Sequence, residues 1–188
     1  MTIVQTAPAR HRAPERRAVP PLIRIATARD APALYVLSAP FMRSGELRPR
    51  TLADYRTGAT EFLLVAAPGK PAGCVALRRA APAPDHPAAG IVHNLCVDPA
   101  RQGSGLGAQL VAAVLARAED LGLRTLYTAS TGSAVLFLRA GFQEVPAALA
   151  PPAWAAALDP ARSSRVYRHE LPAPPGPPLP RAGMTIGI

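Results

Sequence analysis

One stretch in the middle of this chain constrains its fold more than any other. Residues 91–97 form an apolar run that stops at Asp98-Pro99; glycines follow at 103, 105 and 107. A run ended by Asp-Pro reads as a strand. Leu106, Leu110, Val111, Val114, Leu115, Ala118 and Leu121 then recur at helical spacing until Gly122 ends the pattern. A strand, a glycine-rich turn and a helix N-terminus together make an anion site. The first N–H groups of the helix have no intrahelical acceptor, and the helix dipole adds positive potential there. Glycine also lets the main chain approach a bulky diphosphate. A phosphate-bearing ligand is therefore expected at this turn.

The turn is not a P-loop, because no Lys-Ser/Thr pair follows its glycines. It is not a dinucleotide fingerprint either. The glycine spacing differs, and no βαβ unit of that type precedes it.

Composition narrows the remaining classes. Of 188 residues, 49% are hydrophobic but only 5% aromatic, so alanine inflates the apparent core. The formal charge is +9, and Lys70 is the only lysine. Arg10, Arg12, Arg16, Arg17 and Arg181 lie near the two ends, which leaves residues 22–171 at about +5. That surplus suits an anionic ligand. No basic stripe with interleaved aromatics appears, so nucleic acid is not an expected partner. The two cysteines, Cys74 and Cys96, both fall in strand patterns and read as reduced core residues, not as a disulfide framework or zinc site. No apolar run reaches the ~20 residues of a membrane span. No membrane partner and a cytoplasmic location are the expectations.

Residues 1–21 and 172–188 are rich in proline with alanine, arginine or glycine and are expected to be disordered tails. One domain is expected over 22–171. Strands are predicted at 22–25, 62–66, 73–77, 91–97, 124–128, 142–145 and 164–171. Helices are predicted from Thr27 to Ser38, near 51–58, over 106–121 and over 133–140. This is an α/β domain, with helices layered on one mixed sheet.

The loop Gln102-Gly103-Ser104-Gly105-Leu106-Gly107 and the downstream Ala140-Gly141-Phe142 resemble the GNAT acetyltransferase superfamily. The resemblance covers nearly the whole core. It implies a mixed, mostly antiparallel sheet of about six or seven strands with splayed central strands, flanked by about four helices. It also implies acetyl-CoA as co-substrate. Leu95 and Val97 would then meet the pantetheine arm through their backbone. Gln102, Gly103, Gly105 and Gly107 would offer N–H groups to the pyrophosphate. Homodimerisation is a family-level expectation.

Acetyl transfer to an amine requires a group that takes a proton from the substrate ammonium. Many relatives carry a glutamate six residues before the position of Val97, where this chain has Ile91. Period-two alternation puts Ile91, His93, Leu95 and Val97 on one face. His93 is thus the expected catalytic base, much as histidines sit on this strand in arylalkylamine N-acetyltransferases; a structural histidine is the alternative. His86, in a loop, is a weaker candidate. Relatives often place a thiolate-protonating tyrosine four residues before Gly141. Here that residue is Phe137, which cannot donate a proton but is expected to pack at the cofactor. Tyr127, Ser130, Thr131 and Ser133 are nearby donors.

Segments 40–52, 128–131 and 162–167 are similar to amino-acid N-acetyltransferases of the acetylglutamate-synthase type. That similarity implies an α-carboxylate in the acceptor, which a guanidinium binds well. Arg43 and Arg165 are the expected substrate ligands, with Arg162 also considered. Two other readings stay open. One is an acetyltransferase for another primary amine, such as a peptide N-terminus, polyamine or antibiotic. The other is a catalytically silent acyl-CoA sensor.

Overall fold

The computed structural model describes residues 22–85, 88–132 and 134–172. The expected tails apart from Pro172, together with His86 and Ser133, lie outside these residues. Strands β1 (Ile23–Ile25), β2 (Phe62–Val65), β3 (Gly73–Arg79), β4 (Ala89–Val97), β5 (Thr125–Ser130), β6 (Gln143–Val145) and β7 (Arg165–Glu170) form one sheet. Their order is β1-β2-β3-β4-β5-β7-β6. Every pairing is antiparallel except that of β4 with β5.

Alternation along the strands feeds two large cores and a smaller one around Ile91, Tyr127 and Val166. Phe62, Leu64, Cys74 and Ala76 point to one side, where α1 (Ala31–Arg43) and α2 (Leu52–Thr57) cover them with Leu34, Leu37 and Tyr55. Leu63, Val65, Val75, Leu77 and Val92 point to the other, onto Leu110, Val111, Val114 and Ala118 of α3 (Leu106–Asp120) and Phe137 of α4 (Val135–Arg139). Each such aliphatic side chain contributes about 1.5–3 kcal/mol on full burial.

Local signals set most helix starts. Thr51 begins α2 with a reciprocal cap: its hydroxyl accepts from Asp54 N–H at 3.2 Å, and Asp54 accepts from Thr51 N–H at 2.7 Å. Thr27 caps a 3₁₀ turn, Ala28–Asp30, that leads into α1. The first helix was expected to end at Ser38 but continues to Arg43 through Pro40. Proline removes one helical hydrogen bond. The bond lost is to the carbonyl of Val36, a residue on the exposed side of the helix, so the continued packing of Leu37 and Phe41 prevails. A fifth helix, α5 (Pro152–Ala156), was not expected; at five residues it is too short to show periodicity.

Two irregularities position the site. The first is a β-bulge. Ala76 pairs with His93 and Cys74 with Cys96, so an extra residue of β4 is inserted opposite β3. Asn94 sits in the bulge at φ +55°, buried. Its amide oxygen accepts from Tyr55 Oη–H at 3.0 Å, and its Nδ2 donates to Ser38 Oγ at 3.0 Å. The thiols of Cys74 and Cys96, both free and buried, lie 3.5 Å apart beside it. The bulge corrects the expected common face. His93 stays on the α1/α2 side, where it meets the ring of Phe62, while Ile91 packs with Tyr127, Ala150 and Val166. Leu95 and Val97 turn to the other side and pack on the α3 core.

The second irregularity is a splay. β4 and β5 pair only from Ala89↔Thr125 to Ile91↔Tyr127. Beyond that point the two strands separate and leave one edge of β4 open.

Candidate active site

The splay opens into a cleft of about 950 Å³ that crosses the sheet. At one end it is lined by Leu95, Val97, the 101–108 loop, Thr128 to Gly132 and Phe137. Gly103 and Gly105 adopt φ of +77° and +84°, a region that favours glycine. Gly105 is the N-cap of α3 and brings no side chain to it. The first helical bond runs from Gln109 N–H to Gly105 O at 3.2 Å. The four preceding N–H groups, of Gly105, Leu106, Gly107 and Ala108, therefore have no acceptor in the helix. No carboxylate occupies the first turn. A Cβ on Gly107 would come within 2.7 Å of Leu136 Cδ1, so this glycine lets α4 approach α3. Gln102 Nε2 donates to Val97 O at 3.4 Å and ties the loop to the strand end. This end sets unpaired helix N–H groups beside an unpaired strand edge.

Phe137 lines the cleft and stacks edge-on against Phe142, with ring centroids 5.2 Å apart. Ser130 and Thr131 also line it. Tyr127 does not: it is buried, and its hydroxyl donates to Leu149 O at 2.8 Å.

Seven arginines and two carboxylates line the cleft as a whole, so it is strongly cationic. The other end is built around Arg50, Arg78 and His93. Arg50, in the loop before α2, directs Nη2 to His93 Nδ1 at 3.3 Å. His93 Nε2–H donates to Glu61 Oε2 at 3.2 Å. Arg78 Nε donates to the same oxygen at 3.3 Å. Because an arginine faces Nδ1 and a carboxylate faces Nε2, the imidazole is neutral with its proton on Nε2. Burial pushes the His93 pKa below its ordinary value, and the charges of Arg50 and Arg78 push the same way; Glu61 opposes them. Burial, then the charge of Arg78, also lowers the pKa of Arg50. Ile91 lines the cleft with no group able to take a proton.

Neither of the two expected acceptor ligands lines this cleft. Arg43, at the end of α1, is exposed and is not among the lining residues. Arg165 is 70% exposed and pairs with Glu144 at 3.4 Å on the surface. Arg162 does line the cleft, and its Nη2 donates to the carbonyls of Gly45 and Glu46 at 2.9 and 3.1 Å. Arg50, Arg78 and Glu61 were missed. Arg78 is opposite Ile91 in the β3/β4 register, so knowledge of that register would have found it.

Among the described residues, no group of three or more His, Cys, Asp or Glu is placed to hold a metal ion. No helix among them is long and apolar enough to cross a membrane.

A seven-stranded mixed sheet, a splay beside a glycine loop and a helix N-terminus together define an acyltransferase-type fold. The sequence model of the Acetyltransferase (GNAT) family matches residues 31–142, and the chain belongs to that family. It is 31% identical over 121 residues to an amino-acid acetyltransferase of Neisseria meningitidis serogroup A, covering 64% of this chain and 27% of that protein. It is also 31% identical over 149 residues to an amino-acid acetyltransferase of Azotobacter vinelandii, covering 79% of this chain and 34% of that one. Its fold is similar to N-acetylglutamate synthase from Neisseria gonorrhoeae complexed with coenzyme A and N-acetyl-glutamate. The TM-score is 0.72 at 26% identity, over 80% of this chain and 35% of that one. The chain spans only 27% and 34% of the length of the two curated relatives.

Proposed function

We propose that this protein transfers the acetyl group of acetyl-CoA to the α-amino group of a free amino acid. The carrying observation is the Arg50 guanidinium, partly buried at the acceptor end of the cleft and set against His93. A planar guanidinium in a partly desolvated site binds a carboxylate through paired charge-assisted bonds. An amino acid held by its carboxylate there brings its ammonium close to His93. The relatives support the same acceptor class, since two are amino-acid acetyltransferases and the similar structure holds N-acetyl-glutamate.

At the other end, the uncapped N-terminus of α3 and the Gly103–Gly105 turn suit the pyrophosphate of coenzyme A. The open edge of β4 at Leu95 and Val97 suits the pantetheine amides, with Gln102 and Gly107 holding the loop in shape. Acetyl-CoA supplies the activated acyl carbon. His93 is the proposed base. Its Nδ1 takes a proton from the substrate ammonium, and the amine lone pair then attacks the thioester carbon. The C–S bond breaks, and the thiolate takes the second amine proton. Ser130 and Thr131 are the hydroxyls in reach of this end of the cleft; Phe137 packs and does not donate.

A polyamine acceptor is disfavoured by the same arginines, because its charges would meet like charge. Free-thiol release from acetyl-CoA tests the proposal, with amino acids, their amides and polyamines compared. Charge-assisted bonds are worth roughly 1.5–3 kcal/mol each, so amides should react at least tenfold more slowly than the acids. Equal rates for acid and amide would overturn the amino-acid reading. Tight acetyl-CoA binding with no acceptor turned over would favour the sensor.

A further inference from the structure

We infer that Glu61 is a positioning residue of the transfer step, holding His93 in the Nε2–H tautomer so that the Nδ1 lone pair serves the cleft. The inference rests on His93 acting as the base. Glu61 ends a 3₁₀ turn, Ala59–Glu61, immediately before β2. The ladder Phe62↔Ala76↔His93 sets Glu61, the residue immediately before β2, beside the imidazole. The carboxylate thus reaches His93 Nε2 at 3.2 Å from behind the strand, while His93 itself lines the cleft and Glu61 does not.

The chemistry requires such a partner. A neutral imidazole carries one proton, and a base is useful only if the bare nitrogen is the one the substrate meets. A carboxylate on Nε2 keeps the proton there. It also stabilises the imidazolium that forms when Nδ1 takes the ammonium proton, since the positive charge then lies 3.2 Å from Glu61 Oε2. Arg78, 3.3 Å from the same oxygen, keeps Glu61 ionised, and its pKa lies below the ordinary value through the His93 and Arg78 contacts despite its burial. The charged groups set against this histidine are Glu61 from the turn before β2, Arg78 from β3 and Arg50 from the loop before α2.

Arg50 completes the device. In the free site its Nη2 covers Nδ1 at 3.3 Å. An acceptor carboxylate competes for that guanidinium, so binding of the acceptor uncovers the lone pair. The base is then available mainly when the amine to be deprotonated is in place. The carboxylate comes from the turn before β2, two strands away from β4, and does not itself line the cleft.

The test is a cycle of Glu61→Gln, His93→Gln and the double variant in the full chain, followed by acetyl transfer from pH 6 to 9. Glu61→Gln should lower kcat at pH 7 about 10–100-fold, below the ~10²–10⁴-fold contribution of a positioned base. The KM for acetyl-CoA should stay unchanged. The acid limb of the kcat profile should move to lower pH, because the carboxylate no longer favours the imidazolium. The double variant should be no slower than His93→Gln alone. ¹⁵N shifts of the His93 ring, assigned with His93→Gln, should show Nε2–H in the parent protein and a shifted titration in Glu61→Gln. A Glu61→Gln protein with normal kcat and an unmoved limb, beside an impaired His93→Gln, would overturn this inference alone. A Glu61→Gln loss that adds in full to that of His93→Gln would show a merely structural carboxylate. Normal turnover in His93→Gln would remove the base assignment and this inference with it.

Discussion

The glycine-loop end of the cleft is mainly main chain from one contiguous stretch, Val97 through Ala108, whereas the other end depends on side chains from separate places: Arg50 before α2, Arg78 on β3 and His93 on β4, with Glu61 before β2 set against the last two. The first depends on torsion angles and unpaired N–H groups. It tolerates changes of side chain that keep the backbone path, and its one carboxylate, Asp98, is held by Lys70 at 2.6 Å. The second depends on distances among charges held by the sheet register. It is sensitive to single side chains and to pH. One end is thus specified locally and the other by the assembled sheet.

The sharpest way to break this contrast is Arg50→Gln. It should lower kcat/KM for the acceptor on the order of 100-fold, as expected for losing a paired guanidinium–carboxylate contact. Acetyl-CoA affinity, measured by calorimetry, should change less than about twofold. Arg43→Ala and Arg165→Ala serve as controls, since both side chains are exposed outside the cleft; each should leave kcat/KM within about twofold. A large loss in either control would mean that the acceptor approaches from another side.

Next in size is Gly105→Val. A Cβ at this position meets only Gln109 Nε2 at 4.0 Å, so the penalty comes from the +84° φ and not from a clash. A β-branched residue in that region carries strain of about 1–3 kcal/mol. Acetyl-CoA binding should therefore weaken by roughly tenfold or more, and Gly105→Ala should fall in between. Calorimetry on protein shown to be folded checks both. Unchanged affinity would show that the loop conformation is not what binds the diphosphate.

The smallest effect is on stability against pH. His93 has a folded pKa below its unfolded value of about 6.5. The unfolded chain therefore binds the proton first, and stability is full above that value and declines as pH falls below it. Tm should fall by a few degrees between about pH 7.5 and 5.5, and by less in His93→Gln. A parent Tm that rises on acidification would mean that Glu61 outweighs burial and holds His93 charged.

The strand, loop and helix around Gly105 were legible because each signal is local. An apolar run, three glycines and a 3.6-residue period fall within 31 residues, from Ile91 to Leu121. The capping pair Thr51–Asp54 is equally local. The core face of α3 followed from the same periodicities, while the mixed sheet was implied by the family resemblance. By contrast, the face of His93 relative to Leu95 and Val97 was misread, because period two fails at an inserted residue. No signal on β4 itself announces that insertion. Asn94 takes a positive φ only because Tyr55, Ser38 and Cys74, from three other elements, hold its side chain and the strand around it.

By itself, then, the sequence determined the fold class, the anion loop and the order of elements, since torsions and backbone hydrogen bonds act over a few residues. Only the tertiary structure decided which arginines face the cleft and where the partner of His93 comes from. Arg50 and Arg78 became cleft residues, and Arg43 and Arg165 surface ones, through strand register and helix length. Glu61 meets His93 across 32 positions of chain because two neighbouring strand pairings align them. Charge–charge geometry of this kind depends on through-space distance, which spacing along the chain does not encode.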